Sequence, residues 1–399
     1  MGPLVSKALR AATLVATFAC PPALAGCSLI TGADDLQIED DTTTTGTTTG
    51  TTGTTGTTAQ GGGGGAGTGG SSSGGSGTGG SSPACSPPCG QNQYCEAATG
   101  TCQCSPGFLS QNGSCVPAPP GDPSTRSEDE VCKQWKDGHV VSAPNPLMTS
   151  GAECDAGSLS QGGLNDTLLR INMFRWLAGL GPTTDDPARN AGAQLCANLE
   201  SWWDWSSGQS PHFPPASSKC YTADGASYAG MSNIAWGSGH PAQAIDQFME
   251  DNGNETTMGH RRWIVNPPLG PVGIGYWSGG GQYGNAECLN VFGMSGGGPN
   301  PDWVAVPNQG IVPIEMATWT WTFHSNLGGV PGAQVSVLSV DDNMPLDVKM
   351  LPLSQGYGEE CTSWVPQGWQ PQAGKTYRVT VTGVSGGDIV YDVKPVTCN

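Results

Sequence analysis

The sequence predicts an α+β protein whose folded part begins well inside the chain, and three observations carry that prediction. Between residues 128 and 298, apolar residues recur at helical spacing and the helices alternate with short strands, the pattern of a layered fold. Between residues 299 and 399 the texture changes to period-two alternation broken by Gly-rich turns, the pattern of a small β-sandwich. Between residues 84 and 116, six cysteines crowd a stretch too short to bury a core, so bridges must hold it.

The chain opens on an export signal, residues 1–26. Lys7 and Arg10 supply the charged start, and residues 11–19 an apolar run too short to span a bilayer. Leu24-Ala-Gly-Cys27 resembles a bacterial lipobox, which implies that Cys27 becomes a lipidated N-terminus. The plainer alternative is a signal cut after Ala25, with Cys27 an ordinary thiol. The two or more acyl chains of such lipoproteins would anchor firmly where one holds only marginally. Ser28 follows Cys27 where an Asp would suggest inner-membrane retention, so the expected location is the outer membrane or cell surface. Residues 27–83 follow as a tether, nearly all Thr, Gly and Ser from residue 40 to 82. Such a coil spans on the order of 35–40 Å. No later segment reads as a membrane span.

The chain holds 15 cysteines; without Cys20 and Cys27 there are 13, an exported disulfide framework with one thiol over. A net charge of −18 excludes the basic footprint that nucleic acid demands, and offers anionic membranes no attraction. The acidity reflects few basic residues, since only 12% of the chain is charged.

The first module reads Cys85-x3-Cys89-x5-Cys95-x6-Cys102-x-Cys104-x10-Cys115, and six cysteines allow fifteen pairings. Its closing run, from Cys102 through Gly107-Phe108 to Cys115, resembles an EGF-like module. That resemblance implies Cys85–Cys95, Cys89–Cys102 and Cys104–Cys115. No acidic pair precedes Cys85, so the calcium-binding variant lacks support. A spacer role and a protein-binding role both suit it. Residues 117–127 are a Pro-rich linker.

In the main domain, residues 128–298, Leu164, Leu168, Ile171, Phe174 and Ala178 give an amphipathic helix stopped by Gly179-Leu-Gly-Pro182. Asp186 before Pro187 reads as N-cap and first residue of a second helix, with Ala191, Leu195, Leu199 and Trp202 as its buried stripe. A third helix starts at Pro241 and buries Ala244, Ile245, Phe248 and Met249. Residues 272–277 and 286–292 read as strands. Beyond residue 300, strands are expected at 317–323, 333–337, 377–381 and 389–393, with no helix signal. Gln372-Ala-Gly-Lys-Thr-Tyr-Arg-Val379 resembles the late strands of immunoglobulin-like bacterial domains. Cys361–Cys398 is a plausible bridge there; Cys132–Cys154 and Cys196–Cys220 would then pair and leave Cys288 as a buried thiol.

An ordered set of motifs from residue 164 to 293 resembles the CAP superfamily of cysteine-rich secretory proteins, antigens and pathogenesis-related proteins. Asn172-Met-Phe-Arg175 with its Gly-Leu-Gly-Pro exit matches the first helix of that family, and Ala193-Gln194 the second. Ser232-Asn-Ile-Ala235 stands where the family has Gly-Glu-Asn-Ile, and Gly259-His260-Arg-Arg-Trp-Ile-Val-Asn-Pro267 matches the fourth helix of bacterial members. The resemblance implies a three-layer α-β-α sandwich around an antiparallel sheet, with a groove carrying two histidines and two acidic residues. Carried over, these are His260, His212 in Ser210-Pro-His-Phe-Pro214, Asp251 in Phe248-Met-Glu-Asp251, and Ser232 at the second acidic place. Serine there removes a charge and a ligand.

His212, Asp251 and His260 could bind a divalent metal such as Zn²⁺ or work as an acid–base pair. Each also has a plain role: His212 capping a loop, Asp251 a solvated helix end, His260 a structural donor. His139, His240 and His324 fall outside the pattern and read as surface residues. No phosphate loop occurs. Trp202 and Trp205 share a helical face, so one or both read as core, while an exposed Trp203 would be a contact for a lipid or sugar ring. The expected function is a surface-anchored, non-enzymatic module binding a small apolar ligand, a lipid or sterol, or an envelope or extracellular partner. A metal-dependent hydrolase using His212, Asp251 and His260 is the rival, and a spacer or adhesin the third reading.

Overall fold

A computed structural model describes residues 85–398 apart from 86–88, 91, 97–98, 106, 295 and 297–299. The expected signal, the lipidation at Cys27 and the tether lie outside the described residues. The chain is mixed α and β, with small sheets throughout. No helix among the described residues is long and apolar enough to cross a membrane.

The N-terminal module is two antiparallel hairpins, β1 (Gln93–Glu96) with β2 (Thr101–Cys104) and β3 (Phe108–Gln111) with β4 (Ser114–Pro117). Bridges Cys85–Cys95, Cys89–Cys102 and Cys104–Cys115 hold them, the pairing that the EGF-like resemblance implies.

Helix α1 (Glu128–Gly138) starts in a capping box in which Ser127 and Glu130 satisfy each other's backbone N–H. A two-stranded ribbon, β5 (Leu147–Met148) and β6 (Ser158–Leu159), leads to α2 (Gln161–Leu177) and α3 (Pro187–Glu200). Asp186 caps α3 by accepting from the N–H groups of Ala188 and Arg189, with Pro187 in the first turn, as its sequence demands. Then come α4 (Ala223–Ala229), β7 (Ser232–Trp236), α5 (Pro241–Glu250), α6 (Gly259–Ile264), β8 (Gly273–Gly280) and β9 (Gly284–Asn290). The three strands form one antiparallel sheet in the order β7-β9-β8.

Strand alternation divides this sheet between two cores. Ile274, Tyr276, Leu289 and Val291 join the cluster built with α2 and α5, while Trp277, Ala286 and Cys288 join the one built with α3. Helices therefore cover both faces. On the α3 side the contact is backbone on backbone. A Cβ on Gly275 would lie 2.1 Å from the Ala193 carbonyl oxygen, and one on Gly273 would lie 2.5 Å from that of Arg189. The Gly-x-Gly spacing of β8 exists to admit α3 this closely.

Two helices depart from expectation. Helix α2 is buried on nearly all sides, polar residues included, because α1, α5 and flanking loops enclose what reads as its wet face. Helix α3 turns Ala193, Cys196 and Ala197 to the sheet, small residues that permit close approach. The expected stripe is displaced: Leu199 is buried, but Leu195 and Trp202 are half-buried and Ala191 is exposed.

The C-terminal part places two sheets over one core. One sheet runs β10-β12-β16-β15, from β10 (Trp303–Val306), β12 (Trp321–Ser325), β15 (Val348–Leu351) and β16 (Glu360–Pro366). The other runs β11-β18-β17-β13-β14, from β11 (Gly310–Pro313), β13 (Gln334–Ser339), β14 (Met344–Leu346), β17 (Tyr377–Thr382) and β18 (Ile389–Val396). Trp321, Phe323 and Trp364 of the first pack with Tyr377, Val379 and Tyr391 of the second. Part of the segment expected as a strand at 317–323 is instead a one-turn helix, α7 (Ile314–Thr318), and the strand begins at Trp321. The alternation of Trp319 with Trp321 hides that break.

Three further bridges correct the expected pairing. Cys132 pairs with Cys398 and not Cys154, Cys154 with Cys220, and Cys196 with Cys288 and not Cys220. Cys361 is the buried free thiol, so Cys361–Cys398 does not form and Cys288 is no spare. Sequence proximity misled here: Cys196 on α3 lies directly over Cys288 on the middle strand. The six bridges are those of a chain folded in an oxidising compartment.

Candidate functional site

His260 enters the site as the second residue of α6, which starts from Met258 in a left-handed conformation. Asp251 ends α5, also left-handed at φ 57°. That backbone turns the Asp251 carboxylate back under α6. Its Oδ1 accepts from His260 Nδ1 at 2.8 Å and from Asn254 Nδ2 at 3.0 Å, and its Oδ2 accepts from the Arg261 N–H at 3.2 Å. Asp251 is 2% exposed, so it is an orienting carboxylate behind the ring, not the solvated helix end its position suggests. Asn233 on β7 donates to the His260 carbonyl at 3.0 Å and ties the helix to the sheet. Phe248 packs on the imidazole at 5.0 Å between centroids.

His212 approaches from the loop before α4. Its Nδ1 donates to the Ala229 carbonyl at 2.8 Å, since that oxygen can only accept. With Nδ1 engaged in both rings, Nε2 carries the lone pair in the neutral form of each. Burial, and to a smaller extent the neighbouring His260, pull His212 from its ordinary value near 6.5 down to about 4.

His212, Ser232 and His260 line one cleft, together with Trp263 and Phe292. Asp251 lies behind it. The Ser232 hydroxyl is buried and has no protein partner. The cleft is about 30 Å³, room for one or two waters. Among the described residues, the only three His, Cys, Asp or Glu side chains with donor atoms mutually within 4.8 Å are Cys85, Cys89 and Cys102, which are bridged. The trio His212, Asp251 and His260 is thus not assembled as three ligands.

Tyr357, the wall that sequence reasoning missed, comes from the β15–β16 connection of the C-terminal part. Its ring packs where a Cβ on Gly259 would meet it at 3.0 Å. Arg262 fixes that connection, donating to the carbonyls of Ser354 at 2.7 Å and Glu359 at 2.9 Å. Arg261, also buried, donates to the carbonyls of Met249 and Glu250. The Arg-Arg pair after the histidine therefore does interior work. Its strongly polar text gives no sign of burial.

The other expected surface groups are corrected too. His240 is buried as the cap of α5, accepting from the Ala242 N–H, and His324 is buried on β12 against the Thr322 hydroxyl. His139 is half-buried against Trp135. Trp203 is buried, whereas Trp202 and Trp205 are half-buried, because the helix ends before them and the faces it would set no longer apply.

His212 gives the fold an acid limit. Unfolded, it takes up a proton near pH 6.5; folded, only near pH 4. Between these values the unfolded state binds more protons, so stability falls as pH drops from about 6.5 toward about 4, by about 3 kcal/mol in all. Denaturant midpoints measured across that range, for the native chain and His212→Gln, check it. The difference between them should carry this slope, and parallel curves would remove His212 as its source.

Searches of known protein families, curated proteins and solved structures return no match to this chain.

Proposed function

We propose that the chain is an exported lipoprotein whose main domain is a CAP-type module, a three-layer α-β-α sandwich that binds a small apolar ligand and performs no hydrolysis. The ordered motifs and the helices on both faces of the β7-β9-β8 sheet support the fold. The signal, lipobox and tether support anchoring at the outer membrane or cell surface through the lipid alone, and an immunoglobulin-like sandwich follows the main domain.

The observation that carries the binding reading is the state of Asp251. Its oxygens accept three donors behind His260, so it supplies no ligand beside the two imidazoles. Ser232 offers a neutral hydroxyl where a second acid would stand. Two Nε2 atoms are half of a tetrahedral zinc shell. They suit a weakly held Zn²⁺, which would polarise a bound water there. A cleft of about 30 Å³ does not admit a polymer segment. Metal-dependent hydrolysis is the rival because those two lone pairs share one cleft.

The test uses the full chain isolated from its own membrane. Its organic extract, read by mass spectrometry, should contain lipid, sterol or another apolar molecule in stoichiometric amount. Zinc should be substoichiometric in the native chain and no higher in His260→Ala. Stoichiometric zinc that disappears in the variant, with no apolar molecule in the extract, would replace this reading with the metal-dependent one. A co-isolated envelope protein without any apolar molecule would overturn the small-ligand reading instead.

A further inference from the structure

We propose that the apolar ligand sits away from the histidines, in a cavity between α2, α3 and the edge strand β8, and that this cavity takes one uncharged hydrocarbon chain. The inference rests on the reading that the domain binds an apolar molecule; it supplies the place and the class.

The sheet ends at β8, with α2 covering one face and α3 the other. The segment 156–159, at and before β6, only partly fills the gap. A cavity of about 450 Å³ remains, walled by Leu159, Leu164, Leu195 and Ile274, with Ala191 and Pro187 at its rim. The displaced stripe of α3 explains it. Ala191 and Leu195 have the apolar spacing of a core face, yet they border this space, Ala191 exposed and Leu195 half-buried. Apolar side chains at core spacing without a core to fill are what a ligand would cover.

The chemistry of the wall selects the ligand. No charged side chain lines the cavity. Its two amides are already used by the fold. Gln194 donates to the carbonyls of Ala156 and Tyr276, both at 2.7 Å, and accepts from the Tyr276 N–H. Asn190 donates to Asp185 and accepts from the Ile274 N–H. A polar or charged ligand group would be desolvated here without a partner. Volume sets the size: at about 30 Å³ per water-sized group, 450 Å³ holds roughly fifteen heavy atoms. One medium-length alkyl chain fits, with any polar head outside; a sterol ring system exceeds it.

Binding of radiolabelled 1-dodecanol and cholesterol to the full chain tests this, beside Ala191→Trp and Leu195→Ala. Ala191 is exposed, so tryptophan there narrows the cavity without invading a core; thermal melts verify folding. The native chain should bind 1-dodecanol and not cholesterol. Ala191→Trp should weaken dodecanol at least tenfold, and Leu195→Ala should shift the preferred alkanol to a longer chain. Dodecanol bound equally by all three proteins would move the site elsewhere and leave the binding reading standing. A native chain that binds no alkanol, while its extract still holds an apolar molecule, would remove this cavity alone. No alkanol bound and nothing apolar extracted would remove both.

Discussion

Replacing Arg175 by alanine is expected to destabilise the main domain by about 4 kcal/mol or more, enough to prevent folding of many domains. Arg175 is fully buried on α2 and has no carboxylate partner. Its guanidinium donates to the carbonyls of Gly181 at 2.9 Å, Ile264 at 2.8 Å and Asn266 at 2.9 Å. Those last two oxygens belong to the end of α6 and its exit, where a helix leaves carbonyls unpaired. One side chain thus closes the helix that carries His260 and joins it to α2. Burial without a counter-charge lowers its pKa to about 9, so it stays a cation at neutral pH. Arg175→Lys should fare little better, because a compact ammonium cannot fork to carbonyls on opposite sides. Urea midpoints of both variants check this. An Arg175→Lys protein within about 1 kcal/mol of the native chain would mean that charge, and not the fork, does the work.

How much of this was legible follows from which interactions are local. Asp186-Pro187 announced its helix because an N-cap is written in adjacent residues. Gly273 and Gly275 read only as part of a strand; that they admit α3 at backbone distance is visible only in the fold. His260 and His212 do share a cleft, and the motif order found them across 47 intervening positions only through a family resemblance, since periodicity says nothing about two loops meeting. Asp251 was found but given the wrong job, because its left-handed backbone, which decides where the carboxylate points, has no sequence signature in an Asp. Tyr357 could not have been found: it lies in what reads as a separate domain, and its connection is tied to the cleft by Arg262 and by the Ser354 N–H donating to the Thr256 carbonyl. The stripe on α3 misled for a physical reason. Apolar spacing reports what a helix would gain by burial, and here small residues on the neighbouring face won the sheet because they allow backbone contact.

Removing the Cys132–Cys398 bridge, by Cys132→Ser with Cys398→Ser, should cost about 3–5 kcal/mol, the range for closing a very long loop. The bridge spans 266 positions and ties α1, at the start of the main domain, to the last residue described after β18. In the chain-entropy account it constrains nearly the whole folded chain when unfolded, which is why its expected effect exceeds that of Cys154–Cys220, with a separation of 66. The native contact beneath it is already made: α1 packs on β11, and Arg261 and Arg262 reach from α6 to the carbonyls of Thr320 and Ser354 in the C-terminal part. The double variant should therefore keep its fold and its cleft while unfolding at lower urea. Both halves should still melt together, since Tyr357 and the two arginines continue to couple them. A variant whose halves melt separately would show that the bridge, and not the buried arginines, makes the two parts one unit. A loss below about 1 kcal/mol would mean that the reduced unfolded chain already keeps its ends together.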